Sequence, residues 1–82
     1  MNTAFFRALA DDTRLQIVGF LMSGPKNAMQ ITSHVNKSQP NVSLALKELH
    51  NAGIILSEPK GRFRIFSLKD KQKIRKILEL AR

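Results

Sequence analysis

The 82 residues of this chain suffice for one small domain, residues 1–82, and a hydrophobic content of 43% argues against disorder. The absence of cysteine excludes disulfides and thiolate metal sites, and no apolar run approaches the roughly 20 residues of a membrane span. The net charge of +8 is concentrated in residues 60–82, where nine basic residues stand against two acidic ones, and this favours a polyanionic partner.

Two helices are predicted before residue 23. The first runs from Asn2 to Ala10. Asp11 is a suitable N-cap for the second helix, which ends at Ser23-Gly24-Pro25. The apolar stripe of the second helix is expected to hold Leu15, Val18, Leu21 and Met22, with Ile17 alongside. Because the N-terminus lacks the basic start and apolar stretch of a signal peptide, we expect a cytoplasmic, nucleoid-associated protein.

A third helix is predicted to start after Asn27, with Gln30 placed to complete a capping box. Its apolar side comprises Met29, Ile31 and Val35. Asn36 is expected to end it in the left-handed conformation, which asparagine tolerates better than most residues.

The fourth helix is predicted between a Ser38 cap and a stop at Gly53, with Pro40 in its first turn. Its core-facing residues are Val42, Leu46 and Leu49. Residues 54–58 and 62–68 are typical of two strands around a turn at 59–61, and Asp70 caps a last, basic helix.

These elements predict a mainly α fold with a small β-hairpin, in the order α-α-α-α-β-β-α. Two short helices around a tight turn, followed by a hairpin, form a winged helix-turn-helix.

The fourth helix is the candidate recognition helix for the DNA major groove. Polar residues near its start can pair with base edges, and exposed apolar ones can contact thymine methyl groups. The residues expected to contact bases are Gln39, Asn41, Ser43 and Leu44, with Ala45 as a further apolar contact.

The hairpin is the candidate wing, with a basic tip that suits the DNA backbone or minor groove. The residues expected to contact phosphates or the minor groove are Ser38, Lys47, Lys60, Arg62 and Arg64. Phe66 and Leu68 are expected to pack inward while the arginines overhang the DNA.

The two ends of the chain carry apolar stripes that favour a dimer interface. The stripes comprise Phe5, Phe6, Leu9, Ile74, Ile77, Leu78 and Ala81. Core packing and binding to a membrane surface are the alternatives for the last helix, but the chain has no Trp or Tyr to anchor at a membrane, so we expect no membrane partner.

No catalytic or metal site is predicted. His34 and His50 are the two histidines, and each is expected to be an ordinary surface residue. The sequence has no P-loop, no GxGxxG motif and no nucleophile with a nearby base, so we expect neither an enzyme nor a cofactor.

Four segments in order resemble the ArsR family of winged-helix repressors. Residues 8–15 are similar to the opening "aLadptRL" motif, and residues 31–38 to "LAeelglS". Residues 38–55 are similar to the recognition segment "SQstvSrHLkvLreaGLV", and Gly61-Arg62 with Phe66 and Leu68 resembles the wing.

The resemblance implies a homodimer built from the first and last helices, which binds an inverted repeat in double-stranded DNA and represses until an unspecified inducer binds. The family's metal sensors use a Cys pair before the turn, or Asp and His ligands on the last helix. This chain has no Cys, and its last helix offers only Asp70 and Glu79. Leu44-Ala45 replaces a polar residue and His, which implies a different DNA sequence preference.

Two further functions fit the same sequence. The basic residues 60–82 suit a protein that coats nucleic acid without sequence preference, which predicts similar affinity for any duplex. A winged helix with an unpartnered apolar stripe also suits a protein-interaction module, which predicts no DNA binding at physiological salt.

Overall fold

The computed structural model describes residues 3–80, and within them it contains five helices and three strands. The elements are α1 (Thr3–Leu9), α2 (Asp12–Leu21), β1 (Lys26–Asn27), α3 (Ala28–Val35), α4 (Gln39–Asn51), β2 (Ile55–Lys60), β3 (Phe63–Leu68) and α5 (Lys71–Leu80). The predicted winged helix-turn-helix is confirmed, and β1 is an addition to it. Asn2 and Ala81, which the sequence assigned to the first helix and to the dimer interface, lie outside the described residues. No helix within 3–80 combines the length and apolarity needed to cross a membrane.

Local side-chain caps start four of the helices as predicted. Each cap accepts a hydrogen bond from the backbone N–H three residues further on, and the four are Asp11, Asn27, Ser38 and Asp70. At α3 the capping box is complete, because the Asn27 N–H also donates to Gln30 Oε1 at 2.9 Å. These contacts need no tertiary partner, so the sequence is sufficient to place them.

Two residues with positive φ end the helices of the helix-turn-helix. Asn36 ends α3 at φ 54°, and Gly53 follows α4 at φ 75°. Beyond α4 the N–H of Gly53 donates to the His50 carbonyl, and the N–H of Ile54 to the Leu49 carbonyl, both at 3.0 Å. This pair of bonds is a Schellman motif, which turns the chain from α4 into the wing.

Gly53→Ala and Gly19→Ala are expected to change stability in opposite directions. A Cβ at either position would meet no atom within 4 Å, so backbone conformation alone decides the effect. At Gly53 an L-residue is strained, which costs about 1–2 kcal/mol. Gly19 lies in α2 and is exposed, so alanine there stabilises by about 0.5–1 kcal/mol. Urea unfolding of both variants measures the difference, and equal effects would contradict the assigned conformations.

The core is a single apolar cluster in which α2 is central. All fourteen buried residues within 3–80 are apolar, and Ile17, Val18 and Leu21 come from α2. The predicted stripe of α2 was partly wrong, since Ile17 is 0% exposed whereas Leu15 is 40% exposed. The reason is that α2 contacts α1, α3, α4 and β3, so its buried face is set by several neighbours.

Met29 corrects the prediction for α3. It was assigned to the apolar side of the helix, but it is 71% exposed, while Ile31 and Val35 are buried. Met29 lies in the first turn of α3, and the buried Ile31 and Val35 lie further along the helix.

The strands form an antiparallel sheet in the order β1-β3-β2. The turn of the wing is at Gly61-Arg62, with Gly61 at φ 64°, rather than at the predicted residues 59–61. Pro59 therefore lies inside β2 and pairs with Arg64. Proline is found in sheets mainly on edge strands, and β2 is an edge strand.

Candidate nucleic-acid interface

The candidate recognition helix α4 buries one side and exposes the rest. Val42, Ala45, Leu46 and Leu49 are buried. Ala45 is only 5% exposed, so its expected contact with thymine is wrong, whereas Leu44 is 59% exposed.

The exposed residues of α4 lie on two flanks. Ser43, Lys47 and His50 follow the i, i+4, i+7 spacing of one helix face, and all three face the wing. Asn41 is two residues from Ser43 and therefore points almost the opposite way, to a pocket beside Arg14 at the start of α2. Apart from Ala45, the predicted base-contacting residues are exposed, but the fold divides them between these flanks.

A groove separates the wing flank of α4 from the wing, and we call it the helix–wing groove. It encloses about 330 Å³. Its lining comprises Ser43, Leu46, Lys47 and His50 from α4, Ser57, Arg64 and Phe66 from the wing, and Ala28. The lining therefore combines an apolar floor with cationic walls and contains no acidic residue.

The three basic residues of the wing are all exposed, and one of them is hydrogen-bonded to a neighbour. Lys60 and Arg62 lie at or next to the turn and are exposed, as predicted. Arg64, which was expected to overhang the DNA, is exposed as well, and its Nη1–H donates to Ser57 Oγ at 2.7 Å. Arg64 and Ser57 lie on the face of the hairpin that turns to α4, so this bond holds the guanidinium at the groove. Phe66 and Leu68 pack against the core, as expected.

The N-terminus of α4 is exposed from Ser38 to Asn41. Ser38 Oγ accepts from the Asn41 N–H at 3.3 Å, so the serine is committed to capping the helix. A helix N-terminus carries unpaired N–H groups and partial positive charge, which suits a phosphate.

The predicted dimer residues separate into buried and accessible sets. Phe5 and Ile74 are 5% and 1% exposed, because their own chain covers them. Lys73 Nζ also lies 4.2 Å from the centre of the Phe5 ring. Phe6 is 48% exposed, and the partly buried set comprises Leu9, Ile77 and Leu78.

Leu80 is 86% exposed and was missed in the sequence. It lies three residues from Ile77, so helical spacing alone could have included it. We define the end surface as the accessible apolar residues of α1 and α5, namely Phe6, Leu9, Ile77, Leu78 and Leu80.

The two histidines have different surroundings. His34 is exposed but stacks on Phe20, with ring centroids 3.9 Å apart and planes at 5°. This contact joins α2 to α3. His50 lines the helix–wing groove. Among residues 3–80, no three His, Asp or Glu side chains lie together in a way that could hold a metal ion.

The helix-turn-helix formed by α3 and α4, with the β2–β3 wing beside it, defines this domain as a winged helix-turn-helix. A solved domain with the same fold is Mb0332 from Mycobacterium bovis, described as a homodimeric winged helix-turn-helix DNA-binding domain. The two are 18% identical with a TM-score of 0.86, over 96% of this chain and 75% of that one.

Sequence comparison identifies the family. The sequence model of "Bacterial regulatory protein, arsR family" matches residues 11–57. Transcriptional repressor SdpR of Bacillus subtilis is 38% identical over 68 residues, which are 83% of this chain and 74% of SdpR. The "Probable mercury resistance operon repressor" of Streptomyces lividans is 36% identical over 66 residues, or 80% of this chain. The chain belongs to the ArsR family of bacterial regulatory proteins, and it spans about half (53%) of the length of the mercury repressor.

Proposed function

We propose that this protein is a transcriptional repressor that binds an inverted repeat in double-stranded DNA as a homodimer. The observation that carries the proposal is the exposed wing flank of α4, set beside a basic wing across the helix–wing groove. The relatives with this domain are named as repressors and belong to a family of regulators rather than enzymes, which supports the same class of function here.

Base recognition is assigned to the exposed start of α4. Gln39 can form a two-point hydrogen bond with adenine, and Leu44 is accessible to a thymine methyl. Ser43 can pair with several base edges from the wing flank. Asn41 points to the other flank, so its proposed base lies on the side of the helix nearer α2.

Backbone contacts are assigned to the elements around α4. The N-terminus of the helix, capped by Ser38, suits one phosphate. Lys47 extends from the wing flank of α4, and Lys60 and Arg62 extend from the wing tip to the minor groove or the backbone. Arg64 contacts the backbone from the groove, where its hydrogen bond to Ser57 holds it.

Homodimer formation is assigned to the end surface. An 82-residue domain that leaves Phe6 and Leu80 exposed gains stability by covering them, and a twofold dimer presents two recognition helices to two half-sites. Phe5 and Ile74 support this surface from within the protomer.

Soft-metal sensing through thiolates does not fit these 82 residues. One relative is named for mercury resistance, and soft metals select cysteine ligands. This chain has no cysteine to supply them, so no step of the proposal passes through a metal ion.

Selection from a random duplex library tests the proposal. At about 150 mM salt, purely electrostatic binding is suppressed. We expect enrichment of an inverted repeat with half-sites about one helical turn apart. DNA recovered without a shared sequence would instead favour the coating function that the charge of residues 60–82 suggests. No recovery would favour a protein-interaction module.

Gln39→Ala is expected to weaken binding to the selected operator by about 1–3 kcal/mol and to leave random duplex binding nearly unchanged. The reason is that a base contact contributes only where the correct base is present. Titration of both duplexes by fluorescence anisotropy measures the two affinities. Equal losses of affinity for the operator and for random duplex would show that Gln39 does not contact a base.

A further inference from the structure

We propose that the helix–wing groove seats one phosphodiester strand of the operator, and that His50 contacts a phosphate there and makes DNA affinity dependent on pH. This inference rests on the proposed function and adds His50 and Ser57 to its binding residues. Neither residue was singled out for DNA contact in the sequence.

The position of the groove identifies its occupant. A recognition helix lies in the major groove of DNA, while a wing reaches the adjacent minor groove or the backbone. The two grooves of a duplex are separated by a sugar-phosphate strand, so that strand passes between α4 and the wing. The helix–wing groove lies between these same two elements, with α4 on one side and the wing on the other.

The chemistry of the groove suits a phosphodiester. Lys47 and His50 line one wall, and Arg64 lines the other. Phosphate oxygens accept hydrogen bonds from all three types of side chain, and the guanidinium is well shaped for this purpose. Leu46 and Phe66 form an apolar floor against which a deoxyribose can pack.

Ser57 is a positioning residue in this arrangement. Its hydroxyl accepts the 2.7 Å hydrogen bond from Arg64 Nη1 and uses one donor of the guanidinium. The remaining N–H groups stay available for a phosphate. An arginine already held at the wall loses less conformational freedom when the strand enters, so the contact is stronger than that of a free side chain.

The charge of the bound phosphate gives the sign of the pH dependence. The charged groups that line the groove with His50 are Lys47 on the same wall and Arg64 on the opposite wall, both cationic, and Ala28 carries no charge. A phosphate in the groove favours a charged imidazolium at His50, so DNA binding takes up a proton. By linkage, DNA affinity rises as pH falls from 8 to 6.

The test compares His50→Gln with wild-type protein on the operator obtained by selection. Wild-type affinity is expected to rise about threefold to tenfold between pH 8 and pH 6, and His50→Gln is expected to lose this rise. His50→Arg, with a fixed charge, should bind tightly at both pH values and raise the salt slope at pH 8 by about one. His34→Gln is the matched control, because His34 stacks on Phe20 away from the groove, and it should keep the wild-type pH response.

Ethylation interference locates the contact on the DNA. In wild-type complexes at pH 6, ethylation of a phosphate between the major-groove and minor-groove contacts should block binding, and His50→Gln should weaken this block. Ser57→Ala should lower affinity about twofold to fivefold at both pH values, as expected for one positioning contact. Ser67→Ala is the matched control and should leave DNA affinity unchanged. Ser67 pairs with Leu56 in the β-ladder and does not line the groove.

The outcomes separate this inference from the proposed function. Sequence-specific binding with an unchanged pH response and interference pattern in His50→Gln would overturn the inference alone. Failure of wild-type protein to select any operator would overturn both. Circular dichroism of each variant confirms that it is folded, and the exposed position of His50 makes loss of folding unexpected.

Discussion

Phe6→Glu is expected to convert the proposed dimer to a monomer and to lower affinity for the proposed inverted repeat by about 10²-fold or more. Phe6 is 48% exposed on the end surface, beside the Phe5 ring at 5.5 Å. In a twofold interface each substitution occurs twice, so two carboxylates would be placed in an apolar contact without partners. The larger part of the DNA effect comes from losing the link between half-sites, which contributes about 10²–10⁴ in avidity.

Sedimentation equilibrium measures the mass of the variant, and anisotropy measures its affinity for a full operator and for a single half-site. Half-site affinity should stay close to that of wild type, because α1 lies outside the proposed DNA-contacting elements. Leu56→Glu is the matched control for the mass measurement, since Leu56 is also 48% exposed but lies on the wing. If the Phe6→Glu variant remained dimeric, the dimer interface would have to lie outside the end surface.

Leu49→Ala is expected to lower the free energy of unfolding by about 2–5 kcal/mol. Leu49 is fully buried where α4 joins the core, and the truncated side chain leaves a cavity that neighbouring residues cannot close completely. A domain of this size has roughly 4–12 kcal/mol of stability, so the loss is a large fraction of the total.

Leu44→Ala tests the other side of the same helix. Leu44 is 59% exposed, so its truncation should change stability by less than about 0.5 kcal/mol. It should instead reduce affinity for an operator with a thymine at the contacted position. Thermal unfolding and anisotropy distinguish the two variants, and a similar stability loss in both would contradict the orientation of α4.

Local chemistry made the helix boundaries predictable from the sequence. The caps at Asp11, Asn27 and Ser38 act over three residues, and the ends at Asn36 and Gly53 depend on which residue types tolerate positive φ. None of these features requires a distant partner. The order of helices and hairpin followed from them, and with it the winged helix-turn-helix.

The candidate site was only partly predictable. The sequence selected Gln39, Ser43 and Lys47 because their helical spacing separates them from the buried residues of α4. It could not assign His50 or Ser57 a role, since the helix–wing groove exists only when the wing packs beside α4. It also could not show that Asn41 faces the start of α2.

The sequence by itself determined which segments are helical, where they begin and end, and that a basic hairpin follows a helix with a polar exposed side. Tertiary structure alone decided that β1 joins the sheet, that Ile17 rather than Leu15 is buried, and that Arg64 turns to Ser57. The physical reason is range. Capping and helical periodicity act within a few residues, whereas strand pairing, burial against several neighbours and the direction of a long side chain depend on partners distant in the sequence.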